Sequence, residues 1–351
     1  MILVDAHLDL SMNAINWDRD LELDVFEIRK QEEGMEQKGR ACGTTTLPEM
    51  RKGEIALSVA TVICRVAWPG SPATGAANQK IAYGKAQGQL AYYRALEAEG
   101  VMRQVSDRTG LDAHIKQWEQ DSASTPLGYI LSMEGADPII DPDHVASWWD
   151  DGLRAVGLSH YGFSAYAYGH DMVGGLTDRG RSLLAAMEKA GMILDLTHLA
   201  DKAFWEALDA FGGAVLASHS NCRALVPDPR QFDDDQIKAI IARGGVIGGA
   251  LDAWMLQTGW IRGETKPDVL GLDALVDHMV HICDLAGNTH HIGIGSDLDG
   301  GYGTEQTPRD LDTIADLQKV GPLLADRGFS DEDVKRVMHG NWFEFFRKHL
   351  P

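Results

Sequence analysis

His7 and Asp9 stand two apart at the end of a short apolar run, MILVDAHLDL. On a strand, side chains two apart leave the same face, so an imidazole and a carboxylate would emerge side by side, as two ligands of one divalent metal do. Alone, such a triplet is common and usually marks a hydrogen-bonded pair near a turn. Recurrence gives it weight. Apolar runs end at Glu134 in GYILSMEG, His160 in LRAVGLSH, His198 in MILDLTH and His219 in AVLASHS, and HIGIGSDLDG carries Asp297 and Asp299. Singly, each reads as a hydrogen-bonded polar residue of a core; together they point to a metal site.

Imidazoles and carboxylates without thiolate suit zinc, manganese or similar divalent ions in an open catalytic site. Six or seven such groups exceed the needs of one tetrahedral ion, whereas two ions roughly 3.5–4 Å apart and sharing one carboxylate would use them all. Such a pair brings the pKa of a bridging water down to about neutral and yields hydroxide at working pH. Asp297 would then accept a proton from that water and pass it to a leaving group.

Groups so far apart in the chain need a frame that gathers them. Short apolar runs alternate with amphipathic stretches throughout. After the first strand comes a polar segment, Glu27 to Arg40, that reads as helical, then a strand from Ile55 to Val66. The turn-rich loop WPGSPATGAANQK leads into a helix from Ile81 to Glu99, and Asp141-Pro142 starts another after the strand ending at Glu134. Further helices are expected over Asp178–Ala190, Lys202–Phe211, Asp233–Arg243 and Val269–Ala286, with GGVIGGAL as the seventh strand. Eight strands joined by helical crossovers imply parallel pairing, and polar residues at the C-terminal strand ends fit a (β/α)8 barrel of TIM type, whose C-terminal face carries the active site. A doubly wound sheet would open on a glycine-rich first turn; this chain has HLDLSMN there. No linker or charge block divides the chain, so one domain over residues 1–351, with extra C-terminal helices, is expected.

The remaining histidines read differently. His290 and His291 begin the eighth strand and belong on the far rim, while His114, His144, His278, His281, His339 and His349 fall in helices or their flanks. His170, in the loop after strand four, reads as a loop residue without a role, with the edge of a pocket as its alternative.

Composition excludes several classes of partner. A formal charge of −20 argues against nucleic acid, which needs a basic footprint. No apolar segment approaches the roughly 20 residues that span a bilayer. The first strand begins almost at Met1, leaving no room for a signal sequence, and the scattered Cys42, Cys64, Cys222 and Cys283 read as reduced thiols, so a cytoplasmic location is expected. Walker, G-x-G-x-x-G and H-E-x-x-H motifs are absent.

The ordered set DAHLDL, SMEG, LSH, LDLTH, ASHSN with a downstream PR, and GIGSDLDG resembles the membrane (renal) dipeptidase family of binuclear zinc peptidases, amidohydrolase-type barrels, along nearly the whole chain. Deaminase and lactonase relatives of that family bridge their metals with a modified lysine on strand four; LRAVGLSH has none, and Glu134 on strand three takes its place as in the dipeptidases. The resemblance implies two divalent ions, Zn2+ first among the candidates, bridged by Glu134: His7, Asp9 and Glu134 would hold one, and Glu134, His198 and His219 the other. It implies that His160 polarises the scissile carbonyl or steadies the tetrahedral intermediate, that Arg230 receives the substrate's C-terminal carboxylate, and that Asp297 is the general acid/base. Asn341 matches a structural asparagine. Arg223 and Asp299 are the rivals of Arg230 and Asp297, the latter placed two residues on and on the same strand face.

Two departures stand out. Many members carry His-Pro-Arg-Asn where this chain has Asp-Pro-Arg-Gln, and an Asn-rich loop where it has Tyr161, Phe163, Tyr166 and Tyr168. The implied activity is hydrolysis of L-Xaa-L-Xaa and L-Xaa-D-Xaa dipeptides, with a homodimer implied by the resemblance alone. An N-acyl amino acid deacylase on the same site, or a non-catalytic metal-binding barrel, are the alternatives.

Overall fold

The computed structural model describes residues 1–71 and 74–351; Pro72 and Ala73, in the expected turn-rich loop, lie outside the described residues. Strands β1 (Leu3–Leu8), β2 (Ile55–Ile63), β3 (Met102–Gln104), β4 (Leu127–Glu134), β5 (Leu153–Gly157), β6 (Ile193–Asp195), β7 (Val215–Leu216), β8 (Ile247–Gly249) and β9 (Ile292–Ile294) form one sheet. Its order is β7-β6-β5-β4-β2-β1-β9-β8, with every pairing parallel. A parallel bridge between Ala217 and Ile247, with Gly248 N–H donating to Ala217 O at 2.8 Å, joins the two ends of that path. Eight parallel strands with helices between them therefore make the expected TIM-type barrel.

Closure follows from the sequence pattern. β1, β4 and β5 are buried along their whole length, as strands covered on both faces must be. The helix Asp178–Ala190 shows how the outer layer is cut to length. The Thr177 side chain accepts from Gly180 N–H at its start, Leu183, Leu184 and Met187 are buried, and Gly191 ends it in the left-handed conformation at φ 81°. The strand residues Val4, Leu57, Ile130, Ala155, Ile193 and Leu216 share one apolar cluster with Trp342 and Phe346 of the C-terminal helix Asn341–His349. Asn341 donates to Thr289 O at 2.6 Å and Ile292 O at 2.7 Å, tying that helix to the start of β9.

Some elements differ from expectation. The helix expected over Glu27–Arg40 covers Val25–Gln31, because Gly34 (φ 84°) and Gly39 (φ 76°) turn the chain left-handed and Arg19 takes Glu32 and the Gly39 carbonyl as hydrogen-bond partners. Helices Leu10–Trp17 and Arg108–Gln120 and strand β3 were not anticipated; β3 pairs with Leu127–Tyr129 alone, beside the first half of β4. The eighth barrel strand ends at Ile294, so Asp297 and Asp299 lie in the loop beyond it and not on a common strand face. No helix among the described residues is long and apolar enough to cross a membrane.

Candidate functional site

Glu134 is the last residue of β4, and His160, His198, His219 and Asp297 follow just beyond β5, β6, β7 and β9. Parallel closure turns all these ends to one rim. His7 lies near the end of β1, and Asp9 stands just before the helix that follows.

Glu134 Oε1 is the hub. His198 Nε2 lies 3.0 Å from it, His219 Nε2 3.4 Å, His160 Nε2 3.5 Å and His7 Nε2 3.7 Å. His7 Nε2 is also 3.9 Å from Asp9 Oδ1 and 3.8 Å from Asp297 Oδ1. His198 and His219 bring their Nε2 atoms to 2.9 Å. Arg230 Nη2 stands 3.3 Å from His198 Nε2. All eight residues expected at the site thus converge. Asp9, Glu134, His160, His198, Arg230 and Asp297 line a cavity of about 270 Å³, together with Trp17, Lys38, Arg65, Tyr161, Trp254 and Arg262.

The chain is held at this rim by a device used twice. Buried Asp5 accepts from the N–H groups of His7 (3.2 Å) and Ser296 (2.8 Å), joining the ends of β1 and β9. Asp195 does the same for Thr197 (3.0 Å) and Ser218 (3.1 Å), joining β6 and β7. His198 (φ 68°) and Asp297 (φ 57°) are held in left-handed backbone, a conformation costly for a non-glycine residue and characteristic of functional sites. His170 N–H donates to His198 O at 2.8 Å and Asp297 N–H to His7 O at 3.3 Å.

The donor set suits a divalent metal. His7 Nε2 is buried without a hydrogen-bond partner, an orphan that a metal would satisfy. The far nitrogens of the rings are engaged: Ser218 Oγ lies 3.3 Å from His7 Nδ1 and 2.9 Å from His219 Nδ1, and His170 Nδ1 lies 3.1 Å from His198 Nδ1. Outer partners of this kind orient histidine ligands and fix which nitrogen faces the metal. Three groupings of possible ligand atoms fall within 4.8 Å: His7, Glu134 and His219; Glu134, His160 and His198; and His7, Asp9 and Asp297.

Electrostatics divide the four rings. Burial drives His198 and His219 well below the usual imidazole pKa, with the Arg230 charge adding to it, so both rings are neutral, the form that ligates. Burial also lowers His160, to about 3. His7 goes the other way: burial opposes its charge, but Glu134, Asp9 and Asp297 outweigh burial and raise it to about 10. Burial would raise Glu134, yet the rings of His160 and His7 hold it down at about 2. Asp9 is raised to about 6 by burial and by Glu134.

The rivals resolve by their partners. Arg223 is paired with Asp201 at 3.0 and 2.7 Å and is partly exposed. Arg230 is buried and its guanidinium donates to His219 O at 2.8 Å and Ser220 Oγ at 3.3 Å, with no ion pair to a carboxylate within 4.0 Å among the described residues. Of the four loop aromatics only Tyr161 reaches the cavity; Tyr166 is buried against Ile139 O, and Phe163 stacks on Tyr168. His170, read as a residue without a role, is buried against His198. Arg65 was overlooked as well, although it follows β2 just as the histidines follow their strands; its Nη1 lies 2.7 Å from His160 Nδ1.

Known proteins share this arrangement of chain. The sequence pattern of the membrane dipeptidase family (peptidase family M19) matches residues 1–349. Dipeptidase tcpJ of Claviceps purpurea is 30% identical over 177 residues, covering 50% of this chain and 38% of tcpJ. An uncharacterized dipeptidase of Schizosaccharomyces pombe is 26% identical over 236 residues, covering 66% of this chain and 55% of its own. The matches to these two thus span about half of their length or less. Among solved structures, the metallo peptidase dipeptidase AC has the same fold, with a TM-score of 0.80 at 21% identity over 100% of this chain and 99% of that one. A metallo peptidase from Rhodobacter sphaeroides, liganded with a phosphinate mimic of the dipeptide L-Ala-D-Ala, fits equally well at TM-score 0.80, 21% identity and the same coverage. With the family pattern running from the first strand to the last helix, this chain belongs to the membrane dipeptidase family.

Proposed function

We propose that this chain is a dipeptidase, a single barrel over residues 1–351 that holds two divalent metal ions, zinc in the first instance. The observation that carries the reading is the crowding of four imidazoles on one carboxylate oxygen, Glu134 Oε1, beside a buried arginine that lacks a carboxylate partner. His7, Asp9 and Glu134 would hold one ion, and Glu134, His198 and His219 the other. When bound, such a pair supplies a water acidified to about neutral pH and an electrophile for the peptide carbonyl.

The chain's own groups do the rest. Arg230, whose charge is buried with only neutral acceptors around it, receives the dipeptide's C-terminal carboxylate. His160 meets the carbonyl oxygen as charge develops on it. Asp297 takes the proton released at the nucleophile and gives it to the leaving amine. Burial lifts its carboxyl well above the ordinary range, a setting that suits proton transfer both ways. L-Xaa-L-Xaa and L-Xaa-D-Xaa dipeptides are the substrates proposed, the latter in line with the L-Ala-D-Ala mimic bound by the Rhodobacter sphaeroides metallo peptidase.

The test is a dipeptide library covering both stereochemistries at the second residue, offered to zinc-loaded protein together with N-acetylated counterparts. Cleavage of free dipeptides in preference to acetylated ones is expected. Cleavage of the acetylated forms alone makes the chain a deacylase on the same site, and no cleavage of either removes the hydrolase reading.

A further inference from the structure

Arg65 is half-buried at the end of β2, lines the cavity, and makes no ion pair within 4.0 Å among the described residues. The hydrogen bond described for its guanidinium is to His160 Nδ1, at 2.7 Å. The direction of this bond is fixed by chemistry. A guanidinium has five N–H donors and no acceptor, so Nδ1 must accept. A neutral imidazole that accepts at Nδ1 carries its proton at Nε2. That Nε2 points inward, 3.5 Å from Glu134 Oε1, and the centroid of the His160 ring lies 4.2 Å from that of His198 and 4.7 Å from that of Tyr161. Distance alone groups His160 with Glu134 and His198 as a possible ligand set. A nitrogen that carries a proton has no lone pair to give a metal.

We propose that Arg65 is a positioning residue: by donating to His160 Nδ1 it holds the ring as its Nε2–H tautomer, so that His160 faces the cavity as a hydrogen-bond donor and not as a metal ligand. This rests on the role given to His160 above and adds the reason it can fill that role beside so many ligands. A ring free to present an unprotonated Nε2 to the same cavity would compete for the metal and lose its hold on the carbonyl.

The experiment combines four variants of the zinc-loaded full chain, Arg65→Met, Arg65→Lys, His160→Ala and the double Arg65→Met/His160→Ala, with 15N spectra of ring-labelled histidine. Arg65→Met is expected to lower kcat about 10–100-fold with KM little changed, the scale of lost outer-shell partners. Arg65→Lys, which keeps a cationic donor, recovers part of the loss. In the His160→Ala background, Arg65→Met costs nothing further. The spectra of the unsubstituted chain show His160 protonated at Nε2, and those of Arg65→Met show mixed tautomers. Wild-type kcat in Arg65→Met, an undiminished loss in the double variant, or a proton on Nδ1 in the unsubstituted chain would each overturn the proposal. If His160→Ala keeps full kcat, the catalytic role of His160 falls instead, while the spectra still decide whether Arg65 sets its tautomer.

Discussion

Asp297 and Asp299 lie two residues apart in one loop, both in left-handed backbone, and their carboxylates face different tasks. Asp299 accepts from Thr44 N–H and Thr44 Oγ1, each at 2.7 Å, and from Thr45 N–H at 3.0 Å, with Arg19 Nη1 at 3.4 Å. The Asp297 carboxylate has none of these donors; it faces the cavity, with His7 Nε2 at 3.8 Å. Asp297→Asn is therefore expected to lower kcat by about 10²–10⁴-fold, the worth of a positioned acid/base, without lowering the melting temperature. Asp299→Asn should do the reverse, at a cost of about 1–3 kcal/mol for donors left unsatisfied. Steady-state kinetics and thermal melts on the two variants separate these outcomes.

The two arginines give a second contrast. A buried guanidinium without a carboxylate partner is costly unless an anion arrives to pair with it. Arg230→Met should lower kcat/KM by about 10–100-fold, equivalent to the roughly 1.5–3 kcal/mol of a hydrogen bond to a charged group. The loss should appear on a dipeptide and vanish on its C-terminal amide. Arg223→Met, which breaks a pair with Asp201 on a partly exposed side chain, should leave kcat/KM unchanged on both.

Metal and fold should be linked. Removing the metal with a chelator is expected to abolish activity and lower the melting temperature, since a ligand present at about 1,000 times its Kd stabilises the folded state by about 4 kcal/mol. Glu134→Gln should lower the metal content measured by elemental analysis for every ion that Glu134 holds. His170→Gln, which removes the ring that faces the far nitrogen of His198, should weaken metal binding about 10–100-fold while leaving the number of ions at saturation unchanged.

His278 sets an acid limit on stability away from the cavity. Its buried ring accepts from Cys222 N–H at 3.1 Å, and burial lowers its pKa to about 4 from the ordinary 6.5. Between these values the unfolded chain binds the proton that the folded ring refuses, so stability rises with pH through this window and is lost as pH falls from 6.5 to 4. The loss should be about 1–3 kcal/mol by denaturant titration. His278→Gln, which has no proton to gain there, should flatten that slope.

The sequence carried the eight barrel strands and the ligand-type residues that end them, because both signals are local. A buried parallel strand is a short apolar run, and a residue at its C-terminal end needs no knowledge of the rest of the chain to be noticed. Helix extent was less legible. The segment after Gln31 has helical composition, but Arg19 draws Glu32 into an ion pair and glycine carries the chain away. The helix Leu10–Trp17 was hidden because its first turn doubles as the rim of the site.

By itself, then, the sequence determined the barrel, its polar rim and the kinds of chemistry that rim can support. Tertiary structure alone decided which of two neighbouring aspartates faces the cavity and which arginine is left without a carboxylate. It also decided that His170 and Arg65 press against the outer nitrogens of His198 and His160. In each case the deciding partner comes from a distant stretch of chain: Thr44 for Asp299, Asp201 for Arg223, Arg65 for His160. Periodicity records which face a residue presents, but a hydrogen bond depends on what meets that face after the barrel has closed.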